Sequence, residues 1–200
     1  MASEHDKFAN DYDVQIRNYN CYIADVLFGL SYEFIKKEES ILDVGIGTGI
    51  SSRLFYSIGL NVFGMDGSAE MLKVCEQKGI AQDLIEQDIL TFPWPYQNEK
   101  FNHVICCGVF HFIGELNLIF EEISRIQKSG GIFAFTVMNE IDDQFGLENH
   151  NKRIEDGLNI FSHKERYVNN LLNHNHYIKE KEIISFVGQT PFKAIVARKI

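Results

Sequence analysis

Three glycines at alternate positions, Gly45, Gly47 and Gly49 within Asp43-Val44-Gly45-Ile46-Gly47-Thr48-Gly49, are the residues best placed to do chemistry. They follow a short apolar run, Ser40 to Val44, and open a segment of helical spacing. Backbone can approach a ligand closely at such a turn, while helix N–H groups point toward it. The turn therefore reads as a seat for a nucleotide-like ligand. A G-x-G-x-x-G dinucleotide fingerprint needs its third glycine at position 50, where this chain has Ile50. Asp66 lies seventeen residues past Gly49, at the end of a second apolar run. A carboxylate there can accept two ribose hydroxyls, or serve as a helix N-terminal charge beside Ser68. With Asp88 ending a third run, Asp43, Asp66 and Asp88 fall at the C-terminal ends of three consecutive expected strands. Carboxylates in that register repel a pyrophosphate and suit a ligand that carries an ammonium and a sulfonium.

His111, in Gly108-Val109-Phe110-His111-Phe112, is the candidate general base, or else a wall residue that shapes the pocket. Tyr12 and Glu140 are the other bases within expected reach of an acceptor. His174 and His176 stand two apart and share no helix face, and His163 brings no acidic partner, so no metal site is expected. Cys21, Cys75, Cys106 and Cys107 show no C-x-x-C spacing and read as reduced structural thiols.

The elements that must position these residues follow from apolar period and punctuation. Asn20 to Lys37 carries Ile23, Val26, Leu27, Leu30 and Phe34 at helical spacing. Strands are expected at 40–44, 61–65, 84–87, 101–107, 132–137, 182–187 and 192–197, with helices over 48–57, 68–79, 116–126 and 163–176. Strand–helix alternation implies a mostly parallel sheet covered on both faces. The connection Gly188-Gln189-Thr190-Pro191 is too short to join parallel strands. The predicted fold is thus α/β, Rossmann-like, with a seven-stranded mixed sheet ending in an antiparallel C-terminal hairpin. Residues 1–200 form one domain in this reading, with cap helices over 1–38 and an inserted lid or loop over 139–162. That insert is acid-rich (Asp142, Asp143, Glu148, Glu155, Asp156), as a solvated cap or as a lid selecting a cationic or polar acceptor.

The 200 residues are 45% hydrophobic and 24% charged, as in ordinary globular chains, and carry a net charge of −9. That field opposes a nucleic-acid partner. The opening MASEHDKFANDYD is polar and acidic rather than signal-like, and no apolar run is long enough to span a bilayer, so a cytoplasmic protein without membrane insertion is expected. The sequence sets no oligomeric state.

Five motifs occur in order: LDVGIGTG (42–49), VFGMDGSAEML (62–72), EQDILTFPWP (86–95), FNHVICCGVFHFI (101–113) and SRIQKSGGIFAFT (124–136). Together they resemble the class I S-adenosylmethionine-dependent methyltransferases, with Ser129 where that family usually has proline. The resemblance runs from Phe8 to Val137. It implies S-adenosylmethionine as cofactor and S-adenosylhomocysteine as product. Asp43, Gly45, Gly47, Thr48 and Gly49 would form the first motif's seat for the methionine moiety. Asp66 would hold the ribose hydroxyls, Gly67 and Met71 would pack near the adenosine, and Asp88 and Ile89 would meet the adenine amino group and ring. Cys107 would offer its backbone carbonyl to the ammonium. FANDYD resembles an element of the ubiquinone and menaquinone biosynthesis-like branch, which implies that Tyr12 and Tyr19 close over the cofactor. The implied activity is methylation of a small-molecule acceptor. A protein or RNA acceptor, a cofactor-binding protein without catalysis, and an NAD-dependent oxidoreductase are the alternatives.

Overall fold

The computed structural model describes residues 9, 11–139 and 148–200. Its apolar runs become β1 (Ser40–Val44), β2 (Asn61–Asp66), β3 (Asp83–Glu86), β4 (His103–Cys106) and β5 (Ile132–Met138). After them come β6 (His150–Glu155), β7 (Leu158–His163), β8 (Tyr177–Val187) and β9 (Thr190–Lys199). Seven of these form one sheet in the order β3-β2-β1-β4-β5-β9-β8. The first five are parallel, and β9 runs antiparallel to both β5 and β8. Strand order reverses between β1 and β4, and such a switch point opens a crevice beyond the strands' carboxyl ends.

Alternation along the strands divides the core into two layers. On one face Val104, Phe133 and Phe135 meet α5 (Asn117–Ile126), through Phe120 and Ile123, and α6 (Glu165–His174), through Val168 and Leu172. On the other, Ile41, Val62, Ile105 and Ala134 meet α2 (Ile23–Ser31), α3 (Arg53–Ser57) and α4 (Ala69–Lys78) through Leu27, Phe55 and Cys75. With both faces covered, β4 and β5 read as unbroken apolar runs.

Five expectations are corrected. The helix expected from Thr48 begins only at Arg53, because Gly45, Gly47 and Gly49 all take positive φ (76°, 55° and 82°) and hold the chain in a turn. The helical spacing read over Asn20 to Lys37 is an α-helix only over α2, with α1 (Tyr12–Asn18) before it and Asn20 at φ 52° between the two. Strand β8 starts at Tyr177 rather than Glu182, since its Lys-Glu stretch lies on a sheet edge and needs no apolar alternation. The insert contains the β6–β7 hairpin, turned by Asp156 and Gly157 at φ 49° and 83°, as a two-residue type I′ turn requires. His163 ends β7 rather than opening a helix. Phe8, Asn10, Glu140, Asp142 and Asp143 lie outside the described residues.

Candidate cofactor site

The glycine turn is fixed from below. The N–H groups of Gly45 and Ile46 both donate to the Met65 carbonyl, at 2.8 and 3.1 Å, and tie the turn to β2. Gly47 donates its N–H to Asp66 Oδ2 at 2.8 Å, and Ser68 donates its N–H to Asp66 Oδ1 at 2.9 Å. One carboxylate thus joins the turn to the start of α4, where Ser68 Oγ accepts the Met71 N–H at 3.2 Å as N-cap. A Cβ at Gly45 would strike the Val109 side chain, whereas one at Gly47 would meet no protein atom and project into open space. Gly47 is therefore the turn's open face.

The three strand-end carboxylates do not share one surface. Register sets Asp43 opposite Gly64, two residues short of Asp66, so Asp43 lies deeper in the sheet. It is fully buried, and its Oδ2 accepts from Ser51 Oγ at 2.5 Å and Ser52 Oγ at 2.7 Å. Burial raises its carboxyl to about 6 against the opposing pull of the two hydroxyls, with the Asp66 charge adding to the rise. Asp43 is a pin under the turn and not a wall of the crevice. Asp88 lies two residues past β3, exposed, with Oδ1 accepting the Leu90 N–H at 2.9 Å.

Above the turn lies a cavity of about 1130 Å³, large enough for a cofactor and a second small molecule. One side is built by Gly45, Gly47, Asp66, Gly67, Met71, Asp88 and Ile89, and Cys107 and His111 close the end past β4. Tyr12, Ile16 and Arg17 of α1 roof it, and Cys21, Tyr22 and Ile23 continue that wall. Burial pushes the Tyr12 phenol and the Cys107 thiol well above their ordinary ranges, so both stay protonated. The His111 ring lies 3.9 Å from that of Phe112 and edge-on to Phe192 at 5.3 Å.

Most residues singled out in the sequence meet in this cavity. Asp43, Thr48 and Gly49 lie outside its wall, and Tyr19, at 67% exposure, turns away from it at the end of α1. Ile16, Val187 and Phe192 were missed. Ile16 stands one turn after Tyr12 on the same helix face, a readable signal. Val187 and Phe192 flank the β8–β9 turn, and no local motif marks them. The described part of the insert contributes nothing to the cavity wall. β7 packs instead on the 3-10 turn Phe110–Phe112 and on β5. There His163 Nε2 lies 2.9 Å from the Ile113 carbonyl, and burial lowers that imidazole to about 4. Among the described residues no group of three His, Cys, Asp or Glu is arranged for a metal, and no helix is long and apolar enough to cross a membrane.

A sheet of this order, with a glycine turn after β1 and a carboxylate ending β2, is the fold of the class I S-adenosylmethionine-dependent methyltransferases. Residues 42–135, just under half of the chain, match the family model described as a methyltransferase domain. An uncharacterized protein of Methanocaldococcus jannaschii is 29% identical over 147 residues, covering 72% of this chain and 54% of that relative. A malonyl-(acyl-carrier protein) O-methyltransferase of Hamiltonella defensa is 29% identical over 102 residues, covering 51% of this chain and 39% of its own length. The chain thus spans about half or less of these two relatives. Magnesium protoporphyrin IX methyltransferase from Synechocystis PCC 6803, solved with bound S-adenosylhomocysteine, shares the fold at TM-score 0.69 and 16% identity, over 89% of this chain and 82% of its own.

Proposed function

We propose that this chain transfers the methyl group of S-adenosylmethionine to a small, uncharged and largely apolar acceptor. The observation that carries this reading is one cavity lined both by an open-faced glycine turn with two carboxylates and by the apolar and aromatic residues Ile16, Tyr22, Phe112, Val187 and Phe192. The first group suits the cofactor. Gly47 leaves room for close approach, Asp66 and Asp88 offer acceptors to ribose hydroxyls and the adenine amino group, and Met71 and Ile89 supply apolar contact. The Cys107 carbonyl and the nearby carboxylates suit an ammonium, and Arg17 is a cation suited to the cofactor's carboxylate. Arg53 and Asp25, which also line the cavity, pair with each other at 3.7 Å, which leaves little to receive a charged acceptor.

Bound there, the cofactor supplies a methyl group on sulfonium, and attack at that carbon breaks its bond to sulfur and releases a neutral thioether. The protein's part is alignment and exclusion of water, tasks for the apolar wall and for Tyr12 above it. Where the acceptor carries a proton, His111 is the group that takes it. A net charge of −9 disfavours RNA and acidic protein acceptors.

Calorimetry with S-adenosylhomocysteine is the first test, with NAD as competitor. Affinity is expected for the former alone, and folded protein that binds no S-adenosylhomocysteine would end this reading. Asp66→Ala should weaken binding by about tenfold or more, as for loss of charge-assisted hydrogen bonds. Label from the cofactor's methyl group should then enter neutral, lipophilic small molecules of a cell extract rather than protein or RNA. His111→Gln should lower kcat by about 10²-fold or more on an acceptor that loses a proton. Binding without transfer to any fraction would mark a cofactor-binding protein instead.

A further inference from the structure

The helix α1 has seven residues, none of them fully buried, yet it lines the cavity with Tyr12, Ile16 and Arg17. So short a helix is unstable alone, and one without a buried stripe owes its place to specific contacts. Asp13 makes such contacts. Its Oδ1 accepts from Thr48 Oγ1 at 2.5 Å and its Oδ2 from Lys78 Nζ at 2.6 Å. Lys78 Nζ also donates to the Thr48 carbonyl at 2.7 Å, closing a triangle between α1, the glycine turn and the last residue of α4. Thr48 is fully buried, while the Asp13 and Lys78 side chains are 28% and 31% exposed. A lysine at a helix C-terminus usually has no role beyond its favourable charge there. Here the ammonium instead turns inward to two partners, one of them the residue between Gly47 and Gly49.

We propose that Asp13 is a latch that holds α1 closed over the cavity and couples that closure to occupancy of the glycine turn. The coupling rests on the cofactor reading above; the closure does not. Asp13 is a positioning residue that acts through Thr48. With the triangle made, Tyr12 and Ile16 cover the cavity and keep water out. With it broken, α1 keeps only the half-buried Tyr12 and Ile16 to retain it, and this side of the cavity opens. Because Thr48 belongs to the turn, a ligand that orders the turn favours the latch, and the latch in return slows loss of that ligand.

Trypsin cleaves after arginine, and Arg17 is exposed on α1, so cleavage there reports opening. Wild type, Asp13→Ala, Lys78→Met and the double variant would be digested with and without S-adenosylhomocysteine, with cut sites read by mass spectrometry. Ligand dissociation would be followed by stopped flow and folding by thermal melting. Without ligand, each single variant should be cut at Arg17 about tenfold faster than wild type with little change in Tm. The double variant should be no faster than Asp13→Ala, as for residues of one network. S-adenosylhomocysteine should protect wild type strongly and Asp13→Ala weakly, and should leave Asp13→Ala about tenfold faster. Wild-type cleavage rates in both single variants would overturn the latch. Faster cleavage with unchanged ligand dissociation would overturn its coupling to the turn. A wild type that binds no S-adenosylhomocysteine would remove the cofactor reading and the coupling with it, and the ligand-free digestion would still decide whether Asp13 closes α1.

Discussion

The turn after β1 and the hairpin β6–β7 are both short, irregular excursions from the sheet, yet they are held in opposite ways. The turn is held by polar bonds from below: the Met65 carbonyl, the Asp66 carboxylate, and Asp43 with its two serines. Those bonds fix the backbone and leave one face, at Gly47, free of side chains. The hairpin has a mostly exposed first strand and is held by packing, through Ile160 in the core and Phe161 and His150 against Gly114. None of its residues lines the cavity above the turn. A region built from directed bonds presents an empty surface of defined shape, whereas one built from packing fills the space it borders.

Substitutions that separate binding from stability sharpen this contrast. The largest effect is expected for Gly45→Ala, which forces a Cβ into Val109 at φ 76°. Stability should fall by about 2–5 kcal/mol with loss of S-adenosylhomocysteine binding, read by denaturant titration and calorimetry. Gly47→Ala meets no protein atom, so it should cost only about 1–2 kcal/mol while still abolishing tight binding. If it binds as well as wild type, the open face is not a ligand seat.

Asp43→Asn tests the floor of the turn. Folding raises the Asp43 carboxyl from 3.8 to about 6. The folded state therefore holds a proton that the unfolded chain has released, and burial of this group penalises stability only as pH rises through that interval. The asparagine variant should match wild type most closely near pH 4. By pH 8 it should exceed wild type by up to about 3 kcal/mol, at about 1.4 kcal/mol for each pH unit of that interval. A gap that is constant with pH would refute the assignment. The smallest effect is expected from Ile160→Val in the hairpin, costing about 0.5–1.5 kcal/mol and changing ligand affinity less than twofold. A larger change in affinity would make the hairpin part of the site.

What could be read from the sequence follows the same division. The strands of the sheet, the glycine turn and the Ser68 cap depend on neighbours close in the chain, and runs ended by glycine or serine expose them. The hairpin had one local signal, Asp156-Gly157, but β6 is too polar to show alternation. Asp43 looked equivalent to Asp66 because both end apolar runs; only the register, which sets Asp43 against Gly64, separates a buried pin from a wall residue. Tyr12 and Tyr19 looked like a pair until the break at Asn20 placed Tyr19 outside. Asp13 ends FANDYD and Thr48 lies in the first motif, yet no pattern links them to each other or to Lys78, since their meeting depends on the finished fold.

The position of β9 bears on how the protein is made. It lies inside the sheet, between β5 and β8, although it follows both in the chain. On the ribosome, β5 emerges while β6, β7, α6 and β8 are still to come, and its free edge, Ile132 to Met138, consists of residues that are all buried in the finished protein. Until β9 is released, nascent chains share an unpaired apolar strand able to pair with one another. Yield of soluble protein should therefore depend on translation speed and chaperone supply more than the compactness of the final fold would indicate.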